Sequence, residues 1–104
     1  ALTRQKYIGP ALGQYCAIIV VKDENAMIEF ANEYSAEHLE IQTKNPEKVF
    51  AQIKNAGSVF LGAYAPVAVG DYASGTNHCL PTGSAVKYSS PIGVETFMKT
   101  IQFQ

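Results

Sequence analysis

"HLEIQTKNPEKVFAQIKNAGSVFLG", residues 38–62, reads as strand, helix, strand. In "HLEIQT", residues 38–43, Leu39 and Ile41 alternate with Glu40 and Gln42, the two-residue period of a strand with one wetter face. "KNPEKVFAQIKNAG" carries helix punctuation: Asn45 to cap, Pro46 at the first helical position, Val49, Phe50 and Ile53 as the apolar stripe, and Gly57 as a left-handed stop. "SVFLG", residues 58–62, is a short buried strand. Two strands joined through a helix predict a parallel pair with a right-handed crossover.

The same pattern extends outward. Upstream, "YCAIIVV", residues 15–21, is continuously apolar and β-branched towards its end, as in a strand covered on both faces. Asp23 can cap a helix over residues 24–35, where Met27, Phe30, Ala31 and Tyr34 fall at helical spacing on one face. Downstream, residues 63–85 are dominated by Ala, Gly, Pro, Ser, Thr and Asn and read as one long loop, a kind of segment that is usually functional or disordered. A last helix is expected from Pro91 to Ile101, capped by Ser89 or Ser90, with Val94, Phe97, Met98 and Ile101 as its stripe. The expected class is therefore α/β: an open, mostly parallel sheet of β-α-β-α-β order, an incomplete Rossmann-like arrangement, followed by a Gly-rich loop and a C-terminal helix.

With 104 residues, 47% of them hydrophobic, the chain suits one domain, residues 1–104. A formal charge of −1 gives no basic surface to follow a phosphate backbone, so nucleic acid is not the expected partner. The longest apolar run, Cys16 to Val21, is too short to cross a bilayer, and "ALTRQKY" at residues 1–7 lacks an apolar signal-type segment, so no membrane partner is expected. Cys16 reads as a small core hydrophobe. Cys79, beside His78, reads as a packed loop residue, with a ligand or reactive thiol as the alternative. With no CxxC or second Cys/His cluster, a reducing, cytoplasmic setting is the expectation.

Two short stretches carry candidate chemistry. "GDYASGTNHCLPTG", residues 70–83, places Asp71 and His78 among three glycines that let backbone approach a ligand closely. Because this loop follows a strand, it is expected beyond the carboxyl edge of the sheet, where open α/β folds bind ligands. Asp71 offers oxygen to a metal or a cation, and His78 offers an imidazole for binding or proton transfer; a surface role for the histidine is the plainer alternative. In "YSAEHLEI", Glu37 and His38 are adjacent where a helix gives way to a strand. A carboxylate and an imidazole can divide acid and base duties. Consecutive strand residues point to opposite faces, however, so both reach one site only if the chain turns there. Otherwise the two form a surface ion pair.

Together "SAEHLEIQT", "NAGSVFLG" and "GDYASGTNHCLPTG", in this order and spacing, resemble histidinol dehydrogenase, and the resemblance runs through nearly the whole chain. It implies oxidation of L-histidinol to L-histidine in two NAD-dependent steps through histidinal, the final step of histidine biosynthesis, by a cytoplasmic homodimer that binds one zinc ion. It makes Glu37 and His38 the catalytic acid/base residues: Glu37 activates the water that hydrates the aldehyde, and His38 takes the proton from the alcohol and serves again in the second oxidation. It makes Asp71 a zinc ligand that also helps hold substrate, and has His38 and His78 contact substrate in the same pocket. Family members are several times longer, with their other zinc ligands and most of their NAD surface outside these residues. No residue of this chain is expected to bind NAD, and "GSVFLG" is no dinucleotide fingerprint.

The chain is thus expected to be an internal segment of that enzyme's α/β domain, inactive alone and not required to hold zinc or NAD by itself. The alternative is a stand-alone α/β module that binds a ligand or protein partner without catalysis. As a segment, it would leave apolar faces uncovered and associate in solution.

Overall fold

The computed structural model describes residues 3–104 and has the expected α/β class. In chain order its elements are α1 (Gln5–Gln14), α2 (Glu24–Tyr34), β1 (His38–Ile41), α3 (Pro46–Phe50), β2 (Ser58–Leu61) and α4 (Val67–Tyr72), then two 3-10 turns at Gly83–Lys87 and Val94–Phe97. β1 and β2 pair in parallel, with His38 opposite Ser58 and Ile41 opposite Leu61. The period-two pattern then sorts the side chains. Leu39, Ile41, Val59 and Leu61 turn to one face and pack with Met27, Ile28, Val49 and Ile53 of the α2 and α3 side. Val49 is the centre of this core, only 2% exposed.

Local chemistry fixes how the helices meet the strands. Asp23 caps α2, its side chain accepting from the Ala26 N–H at 2.8 Å, as the sequence predicts. At the other end of α2, Asn32 clasps the segment leading into β2. Its Nδ2 donates to the Gln52 carbonyl at 3.0 Å, and its Oδ1 accepts from the Lys54 N–H at 2.6 Å and the Asn55 N–H at 3.3 Å. The helix closes on Ser35 in a left-handed conformation, φ 56°, with Oγ donating to the Asn32 carbonyl at 2.8 Å. The chain therefore reverses sharply just before β1.

The opposite face of the sheet belongs to α4. Phe60 points there, and a Cβ added at Gly70 would stand 2.6 Å from its ring. Only a glycine lets α4 approach so closely.

Several expectations are corrected. Residues 15–21 form no strand: the run pairs with nothing among the described residues, and Ile18 and Val20 are 93% and 92% exposed. A strand needs a neighbour to take its backbone hydrogen bonds, and none is adjacent here. Cys16 in that run is exposed, as is Cys79, so neither is a core residue. In α2 the buried position is Ile28; Phe30 and Tyr34, expected inward, are exposed and stack on each other at 5.7 Å. Asn45 begins α3 without a side-chain cap. Gly57 is not a left-handed stop. It is buried by close approach, since a Cβ there would fall 2.5 Å from the Glu37 carbonyl oxygen.

The long loop contains α4, and its alanine, valine and glycine content hid the helix. The helix expected over Pro91 to Ile101 is reduced to the turn Val94–Phe97, with Phe97, Met98 and Ile101 exposed, so its stripe has nothing to pack on. α1 was not foreseen; it contains Pro10 and buries no side chain. The Cα radius of gyration, 16.8 Å, exceeds the roughly 13 Å of a closed domain this long, although Val86 is buried and Lys87 Nζ reaches Glu33 Oε1 of α2 at 3.2 Å.

Candidate functional site

The turn at Ser35 decides whether Glu37 and His38 can work together. Glu37 sits in a bend and β1 begins at His38, so strand alternation does not separate them. The Glu37 Oε1 to His38 Nδ1 distance is 3.7 Å, within ion-pair reach and beyond a hydrogen bond. The bend is held by backbone contacts to the start of β2: the Gly57 N–H donates to the Ala36 carbonyl at 3.0 Å, and the Ser58 N–H to the Glu37 carbonyl at 2.8 Å. The missing Cβ of Gly57 is what lets these strands begin side by side. Glu37 and His38 thus stand at the amino end of the strand pair.

The second pair is built by α4 and the residues after it. Asp71 lies in α4, not on a loop. Past the helix the chain curls back on itself: Ser74 and Thr76 hydroxyls approach the Gly70 carbonyl at 3.5 and 3.4 Å, and Gly75 takes a left-handed φ of 83°. Asn77 Oδ1 accepts the Cys79 N–H at 2.7 Å, which fixes the backbone around His78. His78 Nδ1 then meets Asp71 Oδ1 at 3.1 Å, a hydrogen bond in which the imidazole donates when that nitrogen carries the proton. The two histidines differ in exposure. The His38 side chain is 28% exposed and that of His78 is 70%.

A chain of contacts joins the pairs. The His38 imidazole stacks on the Phe60 ring, centroids 6.2 Å apart and planes 21° apart. The Cε1–Cζ edge of the same ring abuts Gly70, the residue before Asp71. Beside this assembly, Gly57, Ser58, Asn77, Leu80 and Ile92 help line a cavity of about 330 Å³. Its walls adjoin both pairs in sequence: Ser58 lies opposite His38, and Asn77 precedes His78. The expectation singled out Glu37, His38, Asp71 and His78, and missed Phe60, Gly70, Ser58 and Asn77. An asparagine preceding a loop histidine was a legible signal, since its side chain readily caps the backbone two residues on. The contact between Phe60 and Gly70 was not, because it joins residues from two separate elements.

The donor set can be tested against zinc. A tetrahedral zinc takes four ligands, of which Asp71 offers one. Among the described residues no group of three or more His, Cys, Asp or Glu comes together. The donors of the described residues do not complete such a site.

Comparisons with known proteins agree with the motifs. A family model described as histidinol dehydrogenase matches residues 1–104. A histidinol dehydrogenase of Methanocaldococcus jannaschii is 60% identical over 86 residues, 83% of this chain and 20% of that protein. One from Leptospira biflexa is 53% identical over 94 residues, 90% of this chain and 22% of that protein. The crystal structure of histidinol dehydrogenase from Elizabethkingia anophelis superposes with a TM-score of 0.86 at 40% identity, covering 98% of this chain and 23% of that one. The chain thus spans about a fifth of the length of these relatives.

Proposed function

Because the chain belongs to the histidinol dehydrogenase family, we propose that residues 1–104 are a segment of its α/β domain and supply the acid–base part of the active site. The enzyme would oxidise L-histidinol to L-histidine in two steps through histidinal, as a homodimer in the cytoplasm, at the end of histidine biosynthesis. The observation that carries this reading is the reversal at Ser35, which sets Glu37 3.7 Å from His38 at the head of β1. NAD is the hydride acceptor and zinc the anchor for the substrate in this reading, and the described residues complete a site for neither.

The chain's own groups divide the proton work. A hydride leaves an alcohol carbon more readily as the oxygen loses its proton, so a base at the hydroxyl is needed in the first oxidation. His38 takes that role. The resulting aldehyde must add water before a second hydride can leave. Glu37 takes a proton from the water as it adds, and His38 takes the proton of the hydrate in the second oxidation. Asp71 contributes one oxygen toward the zinc, and His78, hydrogen-bonded to it, lines the substrate pocket. Two side chains thus move protons at one small ligand, and two others help hold it.

The test is His38→Asn in the complete enzyme, supplied with L-histidinol, NAD and zinc and followed by NADH absorbance. Turnover is expected to fall at least about a hundredfold, the usual worth of a positioned base. A wild-type rate would contradict the assignment. The 104-residue chain alone, given the same reagents, is expected to produce no NADH.

A further inference from the structure

Phe60 has no part in the proton chemistry above, yet it touches both halves of the site. It is buried, and it lies on the sheet face turned away from the main core. One side of its ring carries the His38 imidazole at 6.2 Å between centroids, with the planes only 21° from parallel. At the Cε1–Cζ edge of the ring, a Cβ at residue 70 would stand 2.6 Å from Cε1 and 2.7 Å from Cζ. The ring therefore fills the space that any other residue at position 70 would need.

We propose that Phe60 is a positioning residue, a rigid spacer whose ring sets the orientation of the His38 imidazole and its distance from the Asp71–His78 pair. The inference rests on the role given to His38 above. Two physical features point to it. A near-parallel aromatic contact favours one orientation of the imidazole plane, a preference beyond the steric restriction that an aliphatic neighbour of equal volume gives. The seat on Gly70 fixes how closely α4 approaches the sheet, and with it the placement of Asp71 one residue later. Proton and hydride transfer are sensitive to displacements of about 1 Å, which can cost roughly a hundredfold in rate. A side chain that only filled the core would not need a flat face.

The experiment uses the complete enzyme with Phe60→Leu, Gly70→Ala and the double variant. Phe60→Leu is expected to lower kcat about 10- to 100-fold while changing the KM for L-histidinol less than about twofold, as for misplacement of a reacting group. Gly70→Ala, which drives a methyl group into the ring, is expected to lower both thermal midpoint and kcat. In the double variant the shorter leucine makes room for the methyl group, so the midpoint is expected to recover and kcat to stay low. On the 104-residue chain, proton NMR is expected to show the His38 ring signals shifted upfield by Phe60, with the shift lost in Phe60→Leu and His78 unchanged.

Wild-type kcat in Phe60→Leu, with His38→Asn still inactive, would overturn the spacer role and leave the His38 assignment standing. Recovery of kcat together with the midpoint in the double variant would make Phe60 a packing residue only, and would overturn it too. Full activity in His38→Asn would remove the reading beneath it, and the inference with it.

Discussion

Val49 in α3 is 2% exposed, whereas Ile18 and Val20, in the run before α2, are 93% and 92% exposed. Both regions are rich in β-branched and aliphatic residues, and only one has a core. The centre, from α2 to α4, closes on itself because each apolar face finds its cover within a few tens of residues: β1 and β2 pair, α2 and α3 cover one face, and α4 meets the other at Gly70. The flanks, residues 3–21 and 83–104, turn most of their large apolar side chains outward, Phe97, Ile101 and Phe103 among them. Apolar content gives a segment the means to be buried; neighbours decide whether it is. The catalytic candidates all lie in or beside the self-closing centre.

That contrast can be broken by mutation. The largest expected loss is from Gly57→Ala, whose methyl group would meet the Glu37 carbonyl oxygen at 2.5 Å and push apart the heads of β1 and β2. Overpacking against backbone is expected to cost about 3 kcal/mol in chemical denaturation and to move the Glu37–His38 pair as well. Val49→Ala should cost about 2 kcal/mol, the lost burial plus the cavity it leaves. Asn32→Ala removes the clasp on Gln52, Lys54 and Asn55 and is expected to cost about 1.5 kcal/mol, measured by thermal or denaturant unfolding.

The flanks should behave differently. Ile18→Thr with Val20→Thr is expected to change stability by less than about 0.5 kcal/mol. The same pair should reduce self-association of the 104-residue chain in sedimentation, because it removes exposed apolar surface. A loss comparable to that of Val49→Ala would mean that the run is packed in solution.

The sequence was most legible where structure is local. The alternation of Leu39 and Ile41, the Asp23 cap and the placement of Pro46 and Val49 each depend on residues a few positions apart, and each appears in the fold. It was least legible where the outcome depends on a distant neighbour. The run at residues 15–21 has a strand's composition without a strand's partner, and the stripe of Val94, Phe97, Met98 and Ile101 has a helix's spacing with nothing to lie against. Gly57 and Gly70 looked like ordinary breakers. Both instead mark close approaches, to the Glu37 backbone and to the Phe60 ring. The candidate residues Glu37, His38, Asp71 and His78 were legible from motif spacing. That they group as two acid–imidazole pairs joined through one aromatic ring was not, since Phe60 reads in the sequence as an ordinary strand residue.

The division of labour between Glu37 and His38 makes the central claim countable. In the complete enzyme with Glu37→Gln, the neighbouring amide cannot take a proton from the water that hydrates the aldehyde, while His38 is left in place for the first oxidation. Titrating limiting L-histidinol with excess NAD is expected to yield one NADH per substrate, with histidinal accumulating, in place of the two formed by the unaltered enzyme. Two NADH per substrate at an unchanged rate would contradict the account.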